Sequence, residues 1–99
     1  MKRSVRILRR AQSDLEEIQR YVERDRPKAA ARLVDRLLDA IESLEQLPEN
    51  GVSRRDARLA ALGYRVRIEG EHLVFYKVMP THVRVYRVLH GRRRYAPLI

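Results

Sequence analysis

Apolar and polar residues alternate along the second half of the chain, between residues 62 and 94. Successive side chains of a β-strand point to opposite faces of a sheet, so a half-buried strand shows a period of two. Gly70 lies in a turn after the first alternating stretch, and Pro80, which has no N–H for strand pairing, ends the second. The pattern therefore predicts a three-stranded meander over residues 64–68, 73–76 and 83–89.

The middle strand is apolar at both parities, which predicts a central strand covered on both faces. In the third strand, Arg87 breaks the alternation because it shares the parity of Val85 and Leu89. Arg87 is predicted either to mark a β-bulge or to point into the covered face, where a helix carboxylate would pair with it.

The first half of the chain shows a helical pattern after a short alternating strand at residues 4–8. Ser13 and Glu16 fit a capping box at the start of the first helix, or this helix begins one turn earlier, near Arg10. Its apolar stripe has the spacing of an amphipathic helix and consists of Ala11, Leu15, Ile18 and Val22.

A second helix is predicted to begin at Pro27, a residue favoured in the first helical turn, and to end at Pro48. Residues 52–61 have no clear period and are predicted to form a loop with at most one helical turn. The two helices form a hairpin whose apolar stripes can be buried only against the meander. The predicted fold is a single α+β domain over residues 1–99, with the order β-α-α-β-β-β and the helical hairpin packed on a small antiparallel sheet.

The composition, with 44% hydrophobic and 35% charged residues, is typical of a globular protein. No uncharged apolar run approaches the roughly 18 residues that a membrane-spanning helix needs, and no apolar segment fits a signal peptide. The chain contains no cysteine, so neither a disulfide framework nor a thiolate metal site is expected. A cytoplasmic protein is the simplest interpretation.

The net charge of +9 is concentrated in the second half of the chain. Residues 1–50 contain 11 Lys and Arg against 10 Asp and Glu, whereas residues 51–99 contain 11 against 3. Such a positive field attracts a polyanion, either nucleic acid or an acidic protein segment. The alternative is that the charge only keeps a solvated face soluble.

Candidate chemistry is limited to basic residues. The three histidines, His72, His82 and His90, lack metal-ligand spacing, and neither a nucleophile beside a base nor a glycine-rich phosphate loop is present, so no metal or cofactor is expected. Arg65 and Arg67 share one parity of the first meander strand, and the turn after it brings His72 near Arg67.

Guanidinium groups and a histidine are the minimum set for metal-free RNA cleavage through the 2′-hydroxyl group. Alternatively, the two arginines are the solvated side of an amphipathic strand, His90 is a turn residue, and residues 92–94 are a basic chain end.

The ordered set of motifs closely resembles the ParE branch of the RelE/ParE toxin superfamily of bacterial toxin–antitoxin pairs. The resemblance spans nearly the whole sequence, and its last motif is the most specific. The motifs are Ala11, residues 14–18 (DLEEI) and Tyr21; Pro27 and Ala30; Leu44, Pro48 and Gly51; and residues 63–65 (GYR), 73–78 (LVFYKV) and 87–93 (RVLHGRR).

This resemblance implies the β-α-α-β-β-β fold and a ParD-like antitoxin that wraps around the helical hairpin and the sheet in a neutralised hetero-oligomer. It leads us to expect antitoxin contacts at apolar and aromatic positions of these elements: Leu15, Ile18, Val22, Leu33, Leu37, Tyr64 and Tyr76.

The superfamily includes two activities. ParE-like toxins are non-enzymatic and poison DNA gyrase, whereas RelE-like toxins are ribosome-dependent mRNA endonucleases. The ribonuclease hypothesis would use Arg65, Arg67, His72, His90 and Arg93 as catalytic residues; His72 departs from the arginine usual at its position.

The favoured hypothesis is a growth-inhibiting gyrase poison without catalytic residues of its own. Its target is expected to contact basic residues of the sheet and of the chain end: Arg65, Arg67, Arg87, His90, Arg92 and Arg93. Arg94 stands where this branch often has an acidic residue.

Overall fold

The computed structural model describes residues 4–46, 48 and 57–92. These residues form four strands and three helices. In chain order the elements are β1 (Ser4–Ile7), α1 (Arg9–Glu23), α2 (Pro27–Ser43), α3 (Ala57–Ala61), β2 (Arg65–Glu69), β3 (His72–Val78) and β4 (His82–His90).

The strands form one sheet in the order β1-β4-β3-β2. The meander β2-β3-β4 is antiparallel, as predicted, and Gly70 takes a positive φ of 59° in its first turn. The expectation of a wholly antiparallel sheet is wrong, because β1 pairs with β4 in parallel, with Ser4 opposite His82 and Ile7 opposite Val85. Alternation indicates a strand but not its direction, since the side-chain period is two in both kinds of sheet.

Helix α1 begins directly after β1. The amide of Leu8 still donates to the Val85 carbonyl at 3.0 Å, and Arg9 is already helical. The proposed capping box is therefore wrong, because Ser13 and Glu16 lie inside the helix, and the alternative of an earlier start is confirmed. Leu8 takes the N-cap position without a side-chain hydrogen bond.

Helix α2 begins at Pro27 as predicted but ends at Ser43, well before Pro48. The amide of Leu44 bonds to the Ile41 carbonyl at 3.1 Å, a three-residue spacing that tightens and terminates the last turn. The expected turn in residues 52–61 is present as α3, which covers residues 57–61, while residues 52–56 and Leu47 lie outside the described residues.

Each face of the sheet carries its own apolar cluster. The face toward α1 and α2, here called the hairpin face, packs Val74, Tyr76 and Val83 against the two helices. The opposite face, here called the far face, packs Leu73 and Phe75 with Leu59 of α3, Leu89, Tyr64 and Val66. The prediction that β3 is covered on both faces is confirmed.

A register shift separates the two halves of the β3–β4 ladder. Phe75 pairs with Arg87, whereas Tyr76 pairs with Val85, so Tyr86 is an extra residue in β4. This is the β-bulge predicted from the parity of Arg87. A bulge re-aims the side chains beside it, and here it accompanies a contact between Arg87 and helix α1.

Candidate functional site

A groove of about 920 Å³ lies between the helical hairpin and one end of the sheet. Its helical wall carries the apolar side chains Ile18, Val22 and Leu33, with Tyr21 at 76% exposure. Its sheet wall is formed by the β2–β3 turn and by the adjoining ends of β3 and β4. Charged groups from both walls also line it: Asp14, Glu17, Arg26, Arg36, Glu69 and Glu71.

A buried ion pair fixes α1 to β4 at the base of this groove. Arg87 donates from Nε to Asp14 Oδ2 at 2.7 Å and from one terminal nitrogen to Asp14 Oδ1 at 3.0 Å. The amide of Val88 also donates to Asp14 Oδ2, at 3.0 Å. The hydrogen bonds and charge of Asp14, assisted by Glu17, raise the pKa of Arg87 against the opposing effect of burial.

The prediction that Arg87 pairs with a helix carboxylate is therefore confirmed, whereas its assignment as a target contact stays a prediction. Its side chain is only 6% exposed, and Nε and one terminal nitrogen of its guanidinium group are bonded to Asp14. Direct contact with a target would require the pair of Asp14 and Arg87 to open. Sequence reasoning did not name Asp14 as the partner, although a carboxylate between Ala11 and Leu15 on the buried stripe was a usable signal.

Two histidines meet at the sheet end of the groove. His72 and His90 are paired across β3 and β4, with ring centroids 5.3 Å apart and planes at 77°. His90 Nδ1 accepts a bond from the Arg92 amide at 3.1 Å, and His90 Nε2 lies 3.3 Å from Glu71 Oε2. Neutral His90 satisfies both contacts when Nε2 carries its proton.

His72 is buried, and its Nδ1 has no hydrogen-bond partner among the described residues. Burial is the main cause that lowers the pKa of His72 below its ordinary value; the charge of His90 adds to this effect and Glu71 opposes it. His72 is therefore held in its neutral form at neutral pH.

Arg65 and Arg67 lie on the hairpin face, at the open edge of the sheet. They are paired with Tyr76 and Val74, which belong to the cluster under the helices, and directly paired residues share a face. Both arginines are half-buried, and Arg67 lies 4.0 Å from Glu69. They are not the solvated face of an amphipathic strand, so that alternative is wrong.

Four of the five residues of the ribonuclease hypothesis thus share the hairpin face: Arg65, Arg67, His72 and His90. Arg93 lies outside the described residues. Their spacing is uneven, because Arg65 pairs four positions along β3 from His72, which places their backbones about 14 Å apart. Arg67 is the arginine that lies nearer to His72.

Residues 5–95 match the family described as "ParE toxin of type II toxin-antitoxin system, parDE". The chain belongs to this family of toxins. It is 40% identical over 86 residues to Toxin ParE1 of Caulobacter vibrioides. The aligned region covers 86% of this chain and 85% of that protein. The chain is thus a ParE-type toxin of a type II toxin–antitoxin system.

Solved structures show that the ParE family fold is also the fold of this chain. The chromosomal ParDE toxin–antitoxin system from P. aeruginosa contains a chain that superposes with a TM-score of 0.76 at 20% identity, covering 90% of this chain and 96% of that one. The RelBE2 toxin–antitoxin complex from Mycobacterium tuberculosis gives a TM-score of 0.60 at 22% identity, covering 91% and 99%.

The expected antitoxin contacts of this ParE-family chain fall into three groups. Ile18, Val22 and Leu33 line the groove and remain predicted contacts. Tyr64 lies on the far face, away from the groove, and its contact also remains a prediction.

The remaining three expected antitoxin contacts also stay predictions, but these residues are buried in the chain and offer a partner little surface. Leu15 is 3% exposed, and Leu37 and Tyr76 are fully buried in the core under the helices. Apolar periodicity identifies a buried helix face but does not separate core residues from residues at the rim of a groove. Tyr21, which the sequence interpretation did not name as a contact, lines the groove and is exposed.

The described residues contain no cluster of three or more histidines and carboxylates that would hold a metal ion. No helix among them is long and apolar enough to cross a membrane. Of the remaining expected target contacts, Arg92 is exposed beside His90 at the end of β4, and His90 is half-buried.

Proposed function

We propose that this toxin inhibits DNA gyrase in the cytoplasm and that a ParD-like antitoxin neutralises it. The observation that carries the proposal is the family match over residues 5–95, together with the gyrase-directed activity that the ParE-like motifs imply. The target would be bound through the exposed Arg92, the half-buried His90 and the edge arginines Arg65 and Arg67, and Arg93 stays a predicted contact.

The burial of the candidate catalytic residues supports an inhibitor that acts by binding. A proton-transfer group must come within hydrogen-bond reach of the atom whose proton it moves. His72 is only 9% exposed and lies below the helical hairpin, while both ring nitrogens of His90 are already engaged by Glu71 and the Arg92 amide.

The groove suits an amphipathic antitoxin segment. Ile18, Val22, Leu33 and Tyr21 provide apolar surface, and Arg36 provides a cation at its margin for a partner carboxylate. An amphipathic helix that lies in such a groove uses apolar side chains three and four positions apart as anchors. Because Arg36 is exposed, we expect higher salt to slow association more than it weakens final affinity.

A RelE-like, ribosome-dependent mRNA endonuclease is the second candidate. It is supported by the common face of Arg65, Arg67, His72 and His90, and by the excess of positive charge in the second half of the chain, which suits ribosomal RNA. In this case His72 would need to become accessible when the toxin meets its substrate.

One paired experiment tests both candidates. The purified toxin is titrated into gyrase supercoiling of relaxed plasmid and, separately, into a cell-free translation reaction. We expect lost supercoiling with accumulated cleaved plasmid and unchanged translation. Cleaved mRNA with normal supercoiling would overturn the gyrase proposal, and the Arg65→Ala, Arg67→Ala variant would then be expected to lose RNA cleavage.

A further inference from the structure

The far face of the sheet carries a row of three cations on neighbouring strands. Lys77 of β3 pairs with Arg84 of β4, and Arg84 pairs with Arg6 of β1. Strands lie about 4.8 Å apart, so the three side chains start from a line about 10 Å long. Arg6 is exposed, and Lys77 and Arg84 are half-buried.

This cation row has no compensating carboxylate within the described part of the chain. None of the three residues forms an ion pair there. The described strand residues that share their face include no Asp or Glu. Like charges that lie directly opposite each other in a sheet destabilise it. An anionic partner would remove this repulsion, which favours a binding role for the row.

His82 gives a second sign of an electropositive site. It precedes Arg84 by two positions on β4, so both share the far face, and its buried Nε2 has no hydrogen-bond partner among the described residues. Its Nδ1 lies 3.1 Å from the Thr81 hydroxyl. Burial, with the positive charges of Arg6 and Arg84, lowers the pKa of His82 below its ordinary value.

Two tyrosines flank one end of the row. Lys77 Nζ lies 4.4 Å from the ring centroid of Tyr64 and 5.3 Å from that of Tyr86, and the two rings meet edge to face at 5.1 Å. Arg84 also donates to the Tyr86 hydroxyl at 3.4 Å. Burial and Tyr86 raise the pKa of Tyr64, so its hydroxyl stays neutral and does not repel an anion.

We propose that the cation row binds the phosphate backbone of single-stranded nucleic acid across the far face, with a base stacking on the Tyr64–Tyr86 pair. Cations along a strand of phosphates and aromatic rings for unpaired bases are the two features of sequence-tolerant single-strand binding. An acidic peptide would satisfy the cations but would make no use of the two tyrosine rings beside Lys77. A duplex would keep its bases paired and would touch the flat sheet only along a narrow line.

This site is distinct from the groove, because it lies on the other face of the sheet. The inference goes beyond gyrase inhibition and does not depend on it.

The test is fluorescence anisotropy with a labelled 15-nucleotide oligo-dT at several salt concentrations. The test variant is Arg6→Gln, Arg84→Gln, and the control is Arg20→Gln, Arg32→Gln, which removes two exposed helix arginines. Losing two phosphate contacts should reduce the steepness of the plot of log association constant against log salt concentration by about 1.4. It should also weaken binding about 25-fold at 0.1 M salt. The control should change affinity less than about twofold, and Lys77→Gln alone should weaken binding about fivefold.

The same assay distinguishes other ligands. Oligo-U should bind within about threefold of oligo-dT, because the row contacts phosphate and not the sugar, and duplex DNA should bind more weakly. Equal losses in the test and control variants would overturn the proposal, as would tighter duplex binding or a strict requirement for RNA. If polyglutamate displaced the oligonucleotide as well as unlabelled oligo-dT does, the row would instead be assigned to an acidic protein segment. Circular dichroism melts verify that each variant is folded.

Discussion

The buried pair of Asp14 and Arg87 permits a quantitative prediction about stability. Replacing Asp14 by alanine leaves a guanidinium charge in a site where both side chains are at most 6% exposed, and it also removes the acceptor of the Val88 amide. Breaking a buried pair on one side costs about 3–5 kcal/mol because the remaining charge is unpaired. A domain of this length has a free energy of unfolding of about 5–15 kcal/mol.

The Asp14→Ala variant is therefore expected to lose about 3–5 kcal/mol of stability in urea unfolding, with a melting temperature at least about 12 °C lower. The Asp39→Ala variant is the matched control, because Asp39 is an exposed carboxylate on α2. Its stability should change by no more than about 0.5 kcal/mol, as for most surface substitutions.

The double variant Asp14→Leu, Arg87→Met separates loss of a favourable pair from the penalty of an orphaned charge. Replacing both members of a buried pair by apolar residues of similar volume is often neutral or stabilising. We therefore expect the free energy of unfolding of the double variant to exceed that of Asp14→Ala by about 2 kcal/mol or more. The remaining loss relative to the wild type comes from the Val88 amide, which has lost its acceptor. If the double variant were as unstable as Asp14→Ala, the account based on an orphaned charge would be refuted.

The other predictions concern the groove, the histidines and the first hairpin. Tyr21→Ala should weaken binding of a cognate ParD-like antitoxin about tenfold in calorimetry, because an exposed tyrosine in an apolar groove is a typical hot spot. The control Leu62→Ala changes an exposed residue outside the groove and should leave this affinity unchanged. The folded-state pKa values of His72 and His82 are lowered, so the unfolded chain binds more protons below about pH 6.5. Urea-unfolding stability should therefore fall as the pH drops below that value, and His72→Gln, His82→Gln should flatten this dependence; an unchanged slope would contradict it. Gly70→Ala should lower the free energy of unfolding by about 1–2 kcal/mol in the same assay, because Gly70 has a φ of 59°. This cost comes from the backbone conformation alone, since an added Cβ meets nothing within 4 Å.

The meander was predictable because successive side chains of every strand point to opposite faces of the sheet, and this alternation is visible in the sequence. The register shift was predictable for the same reason, since Arg87 breaks this alternation and the bulge re-aims it toward α1. The carboxylate partner was harder to predict, because α1 and α2 offer several acidic residues and only packing brings Asp14 to β4.

The face of each strand could not be assigned from alternation alone. Both faces of this sheet are covered, one by the helical hairpin and the other by α3. An apolar position in a strand therefore does not indicate whether its side chain packs against the hairpin or against α3. Val66 therefore packs on the far face, and Arg65 and Arg67 turn toward the helices at the sheet edge. The cation row was missed for a related reason, because it depends on the parallel pairing of β1 with β4, which local periodicity does not show.

The position of β1 also has a consequence for synthesis of the toxin on the ribosome. Ser4 is made 78 residues before its partner His82. At about 5–20 residues per second, the first strand waits about 4–16 seconds before its neighbour exists. Helices α1 and α2 can form locally in that interval, but α1 cannot dock through Asp14 until Arg87 and Val88 have left the exit tunnel. The sheet thus closes only after β4 has been made, and the nascent domain lacks its finished surfaces until then.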